Sequence, residues 1–166
     1  MVKEVDEKGK PTAWEAADLP TEGKWELIAS GTMEKDGRGI ELTLDNDGKP
    51  FELTKAALHI TNLHRGTEMT NNVSCFVALG SASWGAGVVS ASNVNGTTNK
   101  EFIAYVNMNG LAWLVIRAYT NQNQGNMLHP FSDFIGKTIT KADFMATSAQ
   151  WKLAAGLTYE LWGVRK

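Results

Sequence analysis

Residues 102–119 read FIAYVNMNGLAWLVIRAY. Two apolar runs, Phe102–Met108 and Leu111–Tyr119, flank Asn109-Gly110. Both turn residues tolerate positive φ, and Asn-Gly between apolar runs is the strongest short-range signal of a β-hairpin. The stretch therefore predicts two antiparallel strands, and the chain on either side repeats the pattern. Ile40, Leu42 and Leu44 alternate with Glu41, Thr43 and Asp45, as a half-buried strand does. Trp25–Met33, Phe51–Leu53, Leu58–Leu63, Val73–Leu79, Trp151–Leu153 and Leu157–Val164 read as further strands. Asn46-Asp47-Gly48, Asn95-Gly96 and Ala155-Gly156 supply turns. The one helix signal is Thr140-Lys141-Ala142-Asp143, a weak capping box before Phe144 and Met145 that predicts a single helical turn. Roughly nine or ten strands joined by Gly- and Asn-rich turns predict an all-β fold, a β-sandwich of jelly-roll order. No repeat and no β-helix period is present.

The chain has 166 residues and a formal net charge of −2, from 16 Lys+Arg against 18 Asp+Glu. One domain of this size buries roughly 68–70% of its chain surface and needs no covalent staple. The single cysteine, Cys75, excludes an internal disulfide framework and a cysteine zinc cluster. The charge balance disfavours a nucleic-acid binder held by phosphate contacts. No apolar run approaches the ~20 residues of a membrane helix, so membrane insertion is not expected.

Residues 1–22 differ from residues 23–166. The first segment is charged, carries Gly9, Pro11 and Pro20, and has Trp14 as its only large aromatic residue. It shows no strand period and too little apolar surface to offset its own ordering entropy. It reads as an extended N-terminal linker or adapter arm before a head domain. Its segment Val5-Asp6-Glu7-Lys8-Gly9-Lys10-Pro11-Thr12-Ala13-Trp14-Glu15 resembles the D-E-N-G-K-P-T-x-W-E linker of bacteriophage and prophage fibre-like virion proteins. The end of the chain, Ala154-Ala155-Gly156-Leu157-Thr158-Tyr159-Glu160-Leu161-Trp162-Gly163-Val164-Arg165, is similar to the P-A-G-T-x-Y-E-L-W-G-V-R ending of phage structural domains. The likeness covers the two ends; the middle shares only a general β pattern, and Ala154 replaces the commoner proline.

The resemblance implies the C-terminal head domain of a tail fibre, baseplate protein or head fibre on the virion surface. It implies a homotrimer, and more chain before Val2 in a full fibre protein, joined through the arm to an upstream fibre region. On that footing the expected function is non-catalytic binding of a host cell-surface molecule, a glycan or a protein, with a glycan favoured. The alternative is a structural or decoration domain, a fibre cap or head fibre, without receptor binding.

The residues themselves offer few catalytic groups. Cys75 lies in an apolar strand and reads as a small buried core thiol. His59 and His64 are five apart, which places them on opposite faces of a regular strand, and His129 precedes Pro130 in an expected loop. Glu41 and Asp45 share one strand face, and Asp133 and Asp143 fall in expected loops. None forms a marked acid pair of the kind that cleaves glycosides. Asp45-Asn46-Asp47-Gly48 lacks the spacing of a calcium loop and reads as an Asx turn. Gly80, Gly85 and Gly87 match no dinucleotide fingerprint. No catalytic residue, metal or cofactor is expected.

Sugar recognition needs flat apolar faces for C–H groups and planar hydrogen-bonding groups for hydroxyls. Trp84 among the small residues of 80–87 offers the first. Tyr119, Asn121, Gln122, Asn123, Gln124 and Asn126, in an expected long loop, offer both. These seven are the candidate ligand-binding residues. Trp25, Trp113, Trp151 and Trp162 are expected in the core or at a subunit interface, and Trp14 against a neighbouring subunit.

Overall fold

The protein is described by a computed structural model, which covers residues 2–5, 11–14, 23–81, 85–94, 96, 100–108, 112–119, 125–131 and 135–166. Among the described residues there are twelve strands and no helix. They are β1 (Val2–Val5), β2 (Pro11–Trp14), β3 (Glu26–Thr32), β4 (Gly39–Leu42), β5 (Leu53–Leu63) and β6 (Val73–Gly80). The remainder are β7 (Gly85–Val94), β8 (Lys100–Asn107), β9 (Ala112–Tyr119), β10 (Gly125–Phe131), β11 (Lys141–Ala146) and β12 (Thr158–Arg165). One antiparallel sheet has six strands in the order β10-β9-β8-β5-β12-β3; a second has four, β4-β11-β6-β7. The first segment, expected to lack strands, pairs β1 with β2 as a separate two-stranded sheet, Val2 opposite Trp14 and Val5 opposite Pro11.

The two apolar runs pair antiparallel as expected, Glu101 opposite Tyr119 and Asn107 opposite Trp113, while the expected Asn109-Gly110 turn lies outside the described residues. On its other side β9 pairs with β10, from Gly125 opposite Ala118 to Phe131 opposite Ala112. His129 and Pro130 therefore lie in a strand, not a loop. Proline is tolerated there because β10 is the sheet edge, where one side needs no amide donor.

The expected strand at 58–63 extends back to Leu53 as one continuous strand, β5, which Phe51 and Glu52 precede. Residues 54–57, Thr-Lys-Ala-Ala, are poor local signals, yet β5 is held on both sides by β12 and β8. Pairing overrides weak propensity there. Near its end Asn62 adopts φ 52° at an irregularity in the β8 register. Asparagine tolerates that conformation, and its Nδ2 donates to Gly156 O at 2.7 Å.

The expected helical turn at 140–145 is a strand. β11 lies between β4 and β6, paired with both, and Ala142, Phe144 and Ala146 are fully buried. Two flanking ladders satisfy its backbone, which outweighs one capping signal. β7 carries little strand signal of its own: GAGVVSASNV has small and polar residues and little alternation, and its pairing with β6 supplies the order. Trp151–Leu153 is no strand; Leu153 makes isolated bridges to Gly37 and Arg65.

The sheets pack face to face. Leu58, Ile60, Phe102, Ala104, Val106 and Leu161 from the six-stranded sheet meet Ile40, Leu42, Cys75, Val77, Leu79, Ala142 and Phe144 from the other in one core. Phe102 and Phe144 join the layers, with ring centroids 5.1 Å apart at 53°. Cys75, the single cysteine of the chain, is buried in that core. Trp151 packs partly buried against it. Trp25 and Trp162 do not belong to it: they are 37% and 39% exposed.

The turn at 45–48 is an Asx turn. Asp45 Oδ1 accepts from the amides of Asp47 at 3.0 Å and Lys49 at 2.9 Å, and Gly48 takes φ 76°. Asp45 Oδ2 also accepts from Arg165 at 2.8 Å, and the same guanidinium is paired with Glu26.

At one end of the sandwich Asp36 ties three segments together. Its oxygens accept from Ala155 N at 2.9 Å, Thr67 N at 2.7 Å and Thr67 Oγ1 at 2.8 Å. The Ala155 amide first, and then the Thr67 amide, hold its carboxyl below the ordinary aspartate value of 3.8. A carboxyl depressed by folding stabilises the native state fully above about pH 4 and loses that contribution as pH falls through the folded value. Asp36→Asn should therefore remove part of the acid sensitivity. Urea midpoints at pH 6 and in the acid range below 3.8 should draw closer in the variant than in the wild type. Equal acid sensitivity in both proteins would exclude this role.

Candidate functional site

The outer face of the six-stranded sheet is built by strand alternation. Along β5, Leu58 and Ile60 point into the core, so Ala57, His59 and Thr61 lie on the opposite face. Along β12, Leu161 is buried while Glu160 and Trp162 are exposed. Register then sets neighbours. Glu160 lies between Ser30 on β3 and His59 on β5; Thr158 lies between Thr32 and Thr61.

These residues line a groove of about 340 Å³, formed by Ser30, Gly31, Thr32, His59, Thr61, Thr158, Tyr159 and Glu160. That lies at the small end of ligand-sized clefts. The hydroxyls of Thr61 and Thr158 are hydrogen-bonded to each other. His59 Nε2 lies 2.5 Å from Glu101 Oε1. Trp162 Nε1 donates to Glu160 Oε2 at 3.0 Å, which fixes an exposed indole beside the groove. A Cβ at Gly31 would come within 2.5 Å of Tyr159 Oη, so glycine makes the room in which the phenol sits. Beyond Trp162 the face turns apolar. Leu27 pairs with Trp162 in register and is 39% exposed, and Trp25 stacks at a tilt on Tyr105 with centroids 5.8 Å apart.

Of the seven residues expected to bind ligand, Trp84, Asn121, Gln122, Asn123 and Gln124 lie outside the described residues. Tyr119 ends β9 and Asn126 is in β10, so these two lie in paired strands and not in the expected loop. Both share register rows with the groove's neighbours. Tyr119 pairs with Glu101, the partner of His59. Asn126 pairs with Arg117, Arg117 with Ile103, and Ile103 with His59. No local pattern in the sequence marks the groove residues as a set. The alternation in Leu58-His59-Ile60-Thr61 marks an outward face, but nothing local shows that Thr158 and Glu160 stand beside it.

The second sheet brings together two carboxylates. Glu41 and Asp143 are opposite each other on β4 and β11, and Lys141 Nζ bridges them at 2.8 and 3.1 Å. Asp143, expected in a loop, is in a strand and nearly buried. Burial raises its carboxyl above the usual aspartate value, with Lys141 opposing the shift, and its Oδ1 has no hydrogen-bond partner. The lysine offsets one of the two charges, which suits a structural ion cluster. Among the described residues no three His, Cys, Asp or Glu side chains gather to hold a metal ion.

The fold and this face define an all-β sandwich with a hydroxyl-lined groove beside exposed indoles. Compared with protein-family models, with curated proteins and with solved structures, the chain matches none.

Proposed function

We propose that the domain is a non-catalytic attachment module of a virion appendage, which binds a host cell-surface glycan as a homotrimer. The observation that carries the binding reading is the groove. It sets hydroxyls of Ser30, Thr32, Thr61 and Thr158, an imidazole and a carboxylate around a small cleft, with the Trp162 indole at its side. Hydroxyl and carboxylate groups suit the hydrogen bonds of a sugar, and an exposed indole suits its C–H face. The likeness of both chain ends to phage fibre-like proteins supports the virion setting and the trimer. Binding at so open a site is weak per copy, and three copies on one axis raise it by effective concentration. Trp84, Tyr119, Asn121, Gln122, Asn123, Gln124 and Asn126 are retained as candidate sugar contacts.

The test is binding of the fluorescently labelled protein to bacterial cells and their extracted surface glycans. Thr61→Val combined with Thr158→Val removes both hydroxyls at nearly constant shape, so the fold should persist. Binding should weaken by about ten-fold or more, corresponding to the loss of one or two hydrogen bonds to ligand. Trp84→Ala and the triple change Asn121→Ala, Gln122→Ala, Asn123→Ala report on the loops. Light scattering should give three times the 18.1 kDa chain mass. The exposed strip of Trp25, Leu27 and Trp162 also suits the alternative, a fibre cap or decoration domain that packs against other virion subunits. A folded trimer that binds no cell and no glycan would establish that role instead.

A further inference from the structure

We infer that the groove selects uncharged saccharides and rejects those bearing carboxylates or phosphates; this rests on the glycan-binding reading above. The selection is electrostatic. Among the described residues the lining holds no lysine and no arginine. Its charged member is Glu160, exposed on β12, and the imidazole of His59 is engaged by a second carboxylate, Glu101.

Among the described side chains, the cations of the neighbouring strands are engaged or placed elsewhere. Arg165, on β12, is held by Glu26 and Asp45 at the far end of that strand. Lys55, on β5, is buried and opposite Asn107 and Val164 in register. Lys100 pairs with Leu63, past the groove. An anionic sugar seated among Ser30, Thr61 and Thr158 would meet Glu160 with no lysine or arginine in the lining. A neutral sugar meets the same carboxylate as a hydrogen-bond acceptor for its hydroxyls. The same residues thus attract one class and repel the other, which is how specificity by like charge operates. Because Glu160 and Glu101 are solvent-exposed, the discrimination is screened by salt.

Uronic-acid-containing bacterial capsular polysaccharides provide a matched probe. Each is tested native and after carboxyl reduction, which converts its acids to neutral hexoses with little change of shape. Binding of the trimer is measured at about 20 mM and about 300 mM salt. The reduced forms should bind about ten-fold tighter at low salt, with the ratio shrinking at high salt. In Glu160→Gln and in Glu101→Gln, checked for native circular dichroism, the ratio should move toward one. Native acidic forms that bind as tightly as the reduced ones, or a preference that ignores salt and both variants, would overturn the selectivity and leave glycan binding standing. Failure of every native and reduced polymer to bind the folded trimer would overturn glycan binding itself, and the selectivity with it.

Discussion

Phe144→Ala should lower the unfolding free energy by about 3–5 kcal/mol, the range for deleting a buried aromatic side chain. Phe144 is fully buried on β11, in the middle of the four-stranded sheet. Its ring meets Phe102 of the other sheet at 5.1 Å, so it fills the space between the two layers. Alanine would leave a cavity that neither sheet can close, because both backbones are fixed by ladders on either side of the pair. Domains of this kind are stable by about 5–15 kcal/mol, so the change removes a large fraction of the total. Urea unfolding followed by tryptophan fluorescence measures it. Phe144→Leu keeps most of the volume and should cost far less, about 1–1.5 kcal/mol. A loss below about 1 kcal/mol in the alanine variant would show that this contact does not hold the sheets together.

The second large effect is expected at Gly39. Its φ is +144°, a region that L side chains rarely adopt. It opens β4 opposite Met145, and an added Cβ would overlap the Phe144 carbonyl oxygen and lie 2.7 Å from Met145 Cα. Both obstacles are backbone, held in place by the β11–β6 ladder, so neither can move cheaply. Gly39→Ala should cost about 3 kcal/mol or more, well above the ~0.4–1 kcal/mol that alanine gains by restricting the unfolded chain. Gly48→Ala is the comparison. Gly48 also has positive φ, +76°, but nothing lies within 4 Å of its added Cβ. It should cost only about 1–2 kcal/mol, from conformational strain alone. If both variants lose the same amount, the clash at Gly39 is absent and strand β4 is free to shift. Hydrogen exchange of the β4 amides should separate the two cases, with protection lost in Gly39→Ala and kept in Gly48→Ala.

Several features of the protein follow from contiguous residues alone. The apolar runs around Asn109-Gly110, the alternation at Ile40-Glu41-Leu42 and Val73–Leu79, and the Asx turn at Asp45 each depend on neighbours in the chain. Periodicity and turn chemistry act over such distances, so the all-β class and most of the strands were legible. Tertiary pairing decided the rest. Residues 54–57 and 141–146 are strands because flanking strands hold them, and β7 is a strand although its own composition is nearly silent. The groove belongs wholly to this second kind. Thr61 and Thr158 are separated by 97 residues and His59 and Glu101 by 42, and each pair meets only because β5 lies between β12 and β8. A local sequence determines which way a side chain faces across a strand. Which side chains then stand together depends on ladder order and register, set by the burial of the opposite face in a core shared by the whole chain.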